Sequence, residues 1–344
     1  MPTHDGNGRL TAVAAWKLEE RGAENLRYFY ETPEMAGLYN GELCFVIGRK
    51  GSGKTALAEH ILNMNGPRTF VRALSFQNFP FAMLASFEQD GFATASRYTN
   101  IWKYIIYVAL LEEMARNAAV DPELRSAIDE ALPRDLNRAT SAYIRQITDR
   151  KFGLKIMGSG ADLADGRTYL TNETSLPDRV AILERTVAEH IDQSAYYVLF
   201  DDLDDDFDHA SANPDSVYAR LLGGLFRAAI DVNQFFAGRA NVFPIVFLRD
   251  DIYDLLYSNN KAKWTDKTLD LRWRNHLLHD LVAHRIYRAA DARPPASAPD
   301  TRDAAPPVSI DDALGLIFES TKLRSGRRRR TRSVMAEIER RGYG

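Results

Sequence analysis

Lys54 and Thr55 close an eight-residue string, Gly48-Arg49-Lys50-Gly51-Ser52-Gly53-Lys54-Thr55, whose spacing is G-x-x-x-x-G-K-[ST]. Those residue types at that spacing suit phosphate binding. Glycines at 48, 51 and 53 let the backbone curl so that successive N–H groups converge on an anion at a helix N-terminus. The Lys54 ammonium would reach the β- and γ-oxygens of a nucleotide, and the Thr55 hydroxyl would ligate Mg²⁺. Residues 48 to 56, ending at Ala56, are therefore the candidate nucleotide contacts. The apolar run Leu43 to Ile47 predicts a parallel strand buried on both faces, and Ala56, Leu57, Ile61 and Leu62 predict a helix after the loop.

Two further strings end an apolar run in charge. Tyr196 to Phe200 is followed by Asp201 and Asp202, which sets two carboxylates at the C-terminal edge of a sheet, where open α/β folds collect ligands. Asp201 is the metal candidate. Asp202 is the catalytic candidate, placed to orient or deprotonate an attacking water. Asp204, Asp205, Asp206 and Asp208 read instead as a helix cap or a solvated acidic loop. The EF-hand pattern does not apply, because Gly and Glu are missing from its sixth and twelfth positions. Val242 to Leu248 predicts a third strand beside the other two. Arg249 at its end has two readings, a cation directed at the γ-phosphate or a salt bridge to a neighbouring aspartate, with Asp250 and Asp251 capping the next helix.

These strings need a scaffold, and the chain divides for it. Residues 1–40 read as a leader packing on the core, 41–96 as the half that carries the glycine loop, 97–194 as a helical insertion, and 195–290 as the half carrying Asp201 and Arg249. Residues 291–308 read as a Pro- and Ala-rich linker and 309–344 as a basic extension. The insertion follows from the 147 positions separating Lys54 from Asp201, too long for one crossover. Within it, helices are predicted at Asn100 to Arg116, Pro122 to Leu132 and Asn137 to Asp149, with a short strand at Phe152 to Met157. Thr69 to Ser75 predicts a strand, Val217 to Phe236 a helix, and Leu269 to Ala290 a long helix.

The strings IGRKGSGKTA, ENLRYFYET (Glu24 to Thr32), FDDLD, VFLRDDIY and LRWRNHLLHDLVAHRI resemble a poorly characterised family of bacterial P-loop ATPases, grouped with AAA-like, STAND-like and KAP-like ATPases and linked to defence or DNA-associated systems. The resemblance spans Glu24 to Ile286. It implies an α/β P-loop NTPase core, RecA- or AAA-like, with a mostly parallel sheet flanked by helices, and ATP hydrolysis coupled to a conformational change. It carries Lys54 and Thr55 to nucleotide and Mg²⁺, Asp201 to the metal and Arg249 to a sensor-like position. Relatives often have Glu where this chain has Asp202, and the shorter side chain implies slow or switch-like turnover. A small-molecule kinase and a non-hydrolysing nucleotide-dependent scaffold are the alternatives.

ATP is expected over GTP, because Asn260-Lys261-Ala262-Lys263 lacks the final carboxylate of the guanine-reading N-K-x-D pattern. The chain has 344 residues, 45% of them hydrophobic, a net charge of -3 and one cysteine, Cys44. A single cysteine excludes an internal disulfide and a multi-cysteine zinc site, so Cys44 reads as a small buried hydrophobe. No segment approaches the ~18 consecutive apolar residues of a membrane span, and no apolar signal region opens the chain, so no membrane contact and a cytoplasmic location are expected. His276, His279 and His284 lack partners at zinc-site spacing and receive no metal role. The stretch Thr321 to Arg341 holds nine basic residues against two acidic ones, a pattern that reads first as a solvated tail, with nucleic-acid phosphate as the alternative partner. A homo-oligomer is expected where an arginine such as Arg239, Arg272, Arg274 or Arg285 completes a neighbour's site.

Overall fold

The computed structural model describes residues 29–76, 94–131, 175–204, 216–256, 264–272, 280, 281 and 284. The chain divides into two compact units, Glu34–Leu271 and a second formed by Met1–Pro33 with Arg272–Gly344. In the second unit, the rings of Tyr30 and His284 meet edge-on with centroids 5.6 Å apart.

The larger unit is an α/β fold. In chain order it carries α1 (Ala36–Tyr39), β1 (Phe45–Ile47), α2 (Lys54–Leu62), β2 (Thr69–Ser75), α3 (Thr94–Arg116) and α4 (Pro122–Ala131), then α5 (Leu176–His190), β3 (Ala195–Asp201), α6 (Val217–Phe236), β4 (Asn241–Leu248), α7 (Asp250–Leu255) and β5 (Thr268–Asp270). The five strands form one parallel sheet in the order β2-β3-β4-β1-β5. Parallel strands need crossovers on the sheet faces, so both faces are covered and the strands read as near-continuous apolar runs.

Alternation along the strands sorts the two faces. Phe45, Ile47, Phe70, Leu74, Tyr196, Val198, Phe200, Val242 and Val246 join the main buried cluster with Trp102, Ile105 and Leu111 of α3, Val187 of α5 and Leu225 and Phe226 of α6. Val46, Val71, Tyr197, Leu199, Ile245 and Phe247 are buried outside that cluster, as are Leu57 and Ile61 of α2, which packs across β2, β3 and β4. Helices α3 and α6 approach closely, since a Cβ on Gly224 would lie 2.6 Å from Tyr98 Cβ. The Trp102 indole adds a hydrogen bond to the Leu221 carbonyl at 2.8 Å.

Pro244 lies in the central strand, where a missing N–H would ordinarily break a ladder. Val246 donates to the Cys44 carbonyl at 2.9 Å, so the even-numbered residues of β4 turn their nitrogens toward the β1 side. The register pairs β1 from Phe45 opposite Val246, so Pro244 lies ahead of β1 and the missing donor costs the sheet nothing.

Helix Val217–Phe236 and strand Thr69–Ser75 have the predicted bounds. The helix expected from Asn100 begins at Thr94 and the one expected to Leu132 ends at Ala131. Leu269 is a correction. It lies in β5, paired to Val46, rather than at the start of a long helix. Three residues are too few for an alternation to show in sequence. Leu62 ends the helix expected after the loop and is exposed. The expected elements at Asn137 to Asp149 and Phe152 to Met157, the linker and the basic stretch lie outside the described residues. Among the described residues, no helix is long and apolar enough to cross a membrane.

Candidate functional site

The strand order carries the glycine loop, the acidic strand end and Arg249 to one edge of the sheet. In a parallel sheet all C-terminal ends lie on the same side, and β4 stands between β1 and β3. Arg249 follows β4 and therefore lies between the loop after β1 and the aspartates ending β3.

The loop is built on left-handed glycines. Gly51 has φ +81° and Gly53 φ +95°, conformations that an L side chain rarely adopts. Gly48 is constrained by space instead, because a Cβ there would lie 2.5 Å from Ser52 Oγ and 2.7 Å from the Leu271 carbonyl oxygen. The loop leads straight into α2, whose first residues are Lys54 and Thr55. The Lys54 ammonium bends back over the loop and donates to the carbonyls of Gly48 at 2.9 Å and Arg49 at 3.0 Å. Burial lowers its pKa, while Asp204 and Asp201 pull the other way. Ser52 Oγ is buried with no hydrogen-bond partner, and the Ser52 N–H closes the turn onto the Arg49 carbonyl at 3.1 Å. Arg49 and Lys50 are exposed, and Arg49 forms a long ion pair with Asp250 at 3.6 Å.

Across the edge, Thr55 lies near enough to Asp201 for its hydroxyl to help hold the Asp201 carboxyl down. The two residues read as metal ligands from separate strings thus lie at the same end of the sheet. Burial, with Asp202 beside it, pushes the Asp201 carboxyl up to about 6, against the opposing effects of the Asp202 backbone, Thr55 and Lys54. Asp202 leaves the strand with φ +57°, a left-handed turn that Asp tolerates better than most residues, and its Oδ2 accepts from Ser75 Oγ at 2.6 Å. Ser75 is opposite Asp201 in the β2–β3 register.

Arg249 pairs with aspartates on both sides. Its Nε and Nη2 donate to Asp251 at 3.1 and 2.6 Å and its Nη1 to Asp204 at 3.4 Å. The salt-bridge reading therefore holds for the side chain as it stands, at the same edge as the loop. Asp250 and Asp251 occupy the first turn of α7, where carboxylates favour the helix dipole, and Arg249 itself is the N-cap residue, without a side-chain cap.

Sequence reading missed two groups here. Asp204 is more than a solvated acid, and Ser75 carried no signal in sequence, because only the strand order brings it beside Asp202; Asp251 is the neighbouring aspartate of the salt-bridge reading. Asp205, Asp206, Asp208, His276 and His279 lie outside the described residues.

The donor set fits a nucleotide phosphate with Mg²⁺. A glycine cradle, a lysine over it and the Thr55 hydroxyl with the Asp201 carboxylate at the same end of the sheet offer cationic and N–H groups to phosphate and two oxygens to a hard cation that keeps most of its waters. Among the described residues, no group of three or more His, Cys, Asp or Glu could hold a metal ion on protein ligands alone. No family model matches the chain, nor does any curated protein or solved structure.

Proposed function

We propose that this chain is a P-loop ATPase with a RecA- or AAA-like core, binding ATP with Mg²⁺ and coupling its hydrolysis to a conformational switch. The observation that carries the reading is the placement of the glycine loop, turned on left-handed Gly51 and Gly53 at the start of α2, at the same end of the sheet as the acidic end of β3, with β4 between them. Gly48 to Ala56 would hold the phosphates, with Lys54 exchanging its loop carbonyls for phosphate oxygens, and Thr55 and Asp201 would hold the metal. When bound, Mg²⁺ supplies charge neutralisation at the phosphate oxygens. Asp202 would orient the attacking water, and Arg249 would face the developing charge. A cytoplasmic location, a homo-oligomer completing the site in trans, and a role in a defence or DNA-associated system belong to the same proposal.

Slow turnover or tight binding without turnover is the second reading. The Ser75 hydrogen bond favours it, since one oxygen of Asp202, already on a short side chain, is engaged.

Titration of the full chain with ATP, together with phosphate release, tests both readings. Lys54→Ala should lose ATP affinity by at least ~10-fold while melting as the wild type does, and Asp201→Asn should lose the Mg²⁺-dependent part of binding. Phosphate release in the wild type, lost in Asp202→Asn with ATP affinity retained, supports the hydrolase. Binding without release supports the switch. Unchanged ATP affinity in Lys54→Ala would sink the site.

A further inference from the structure

Among the described residues, Arg249 holds the carboxylates of Asp251 and Asp204 unequally. Nε and Nη2 make a parallel fork to the two oxygens of Asp251, with contacts of 3.1 and 2.6 Å, across only two residues of chain. Nη1 makes a long contact, 3.4 Å, to Asp204 Oδ2 on the segment that leaves β3. Bidentate geometry is the stronger arrangement, so Asp251 fixes the plane of the guanidinium and Asp204 is the exchangeable partner. The same Asp204 exerts the strongest charge effect on the Lys54 ammonium, ahead of Asp201. One partly exposed carboxylate therefore acts on both cations that the phosphate-site reading assigns to the nucleotide.

We propose, on that reading, that Asp204 is a built-in counter-anion for Arg249 and Lys54, which the terminal phosphate of a nucleoside triphosphate must displace, so that Asp204 sets the preference between triphosphate and diphosphate. A diphosphate reaches the loop without contesting Arg249, whereas a triphosphate competes with Asp204 for Nη1. Like-charge repulsion makes the two anions alternatives rather than neighbours. Asp251 takes the opposite role, because loosening its fork frees Arg249 to leave the phosphate.

Calorimetric titration of the full chain with ATP and with ADP, each with Mg²⁺ and with EDTA, separates the outcomes. Asp204→Asn should tighten ATP by roughly three- to fivefold, the upper scale of one partly exposed ion pair, with ADP affinity within about twofold of wild type and the gain present in EDTA. Asp251→Asn should weaken ATP more than ADP. Asp204→Ser, which also removes the carboxylate, should repeat the gain, and thermal melting of both variants separates it from loss of fold. An unchanged ratio of ATP to ADP affinity in Asp204→Asn and Asp204→Ser overturns the proposal. So does a loss of ATP affinity confined to Mg²⁺, which would make Asp204 a metal ligand. If the wild type binds both nucleotides, Lys54→Ala does not and the ratio is unchanged, the Asp204 role alone fails. If the wild type binds neither, the phosphate-site reading fails and the Asp204 role falls with it.

Discussion

Ala is disfavoured at both Gly48 and Gly51, for different physical reasons. At Gly48 the obstacle is space, because the added methyl would press on Ser52 Oγ and on a backbone carbonyl that cannot rotate away. At Gly51 nothing lies within 4 Å of the added Cβ, and the obstacle is φ +81°. Left-handed strain costs a non-glycine residue ~1 kcal/mol or somewhat more. Gly48→Ala should therefore cost more stability, on the scale of ~1–3 kcal/mol for overpacking, and should weaken ATP binding by displacing the β1 end of the loop. Gly51→Ala should melt closer to wild type while still weakening ATP. Urea midpoints and ATP titration of both variants check this, and equal stability losses would show that crowding at Gly48 relaxes freely. The loop was legible in sequence because its chemistry is local, eight consecutive residues with each glycine answering to its own backbone. Asp204 and Ser75 were not, since each acts through a partner supplied by strand order.

Among the elements, the crossing of α3 and α6 offers a paired test. Gly223 and Gly224 are adjacent on α6, yet an added Cβ meets nothing at Gly223 and meets Tyr98 Cβ at 2.6 Å and its carbonyl carbon at 2.9 Å at Gly224. Since Ala is the better helix former by ~1 kcal/mol, Gly223→Ala should be neutral or stabilising. Gly224→Ala should destabilise by ~1–3 kcal/mol despite the same propensity gain, because two helix backbones must separate. Thermal melts of the two variants decide, and similar melting temperatures would mean that the crossing is looser than these distances imply. The buried strands and α6 could be read from sequence because apolar runs and a 3.6-residue period are strong signals over seven residues or more. β5 could not. Its three residues, Thr268 to Asp270, gain strand character only by pairing with β1, and the helix-like pattern that follows them in sequence masked the pairing.

Over the molecule, the opposite edge of the sheet from the glycine loop holds a buried polar group that ties stability to pH. Glu113 is 1% exposed on α3, beneath the start of β3. Burial pushes its carboxyl up from an ordinary 4.5 to about 7, and the Arg116 ion pair at 2.7 Å, with Arg72 farther off, only partly offsets this, while Glu112 adds to it. Tyr196, itself hydrogen-bonded to Asn117 and Asp192, lies near enough for Glu113 to act on its hydroxyl. Below about pH 4.5 both folded and unfolded chains keep the Glu113 proton, so its favourable contribution is whole. From there to about 7 the unfolded chain releases the proton and the folded chain retains it, so stability falls as pH rises, by at most ~1.4 kcal/mol per pH unit for one proton. Above the folded value the loss is complete and the slope vanishes. Glu113→Gln keeps the shape and cannot ionise, so its stability relative to wild type should rise between pH 5 and 7 and level off by pH 8. Urea midpoints of the two proteins across that range measure the difference directly, and other titrating groups cancel between them. Parallel curves would show that Glu113 is ionised in the fold throughout, with Arg116 and Arg72 outweighing burial.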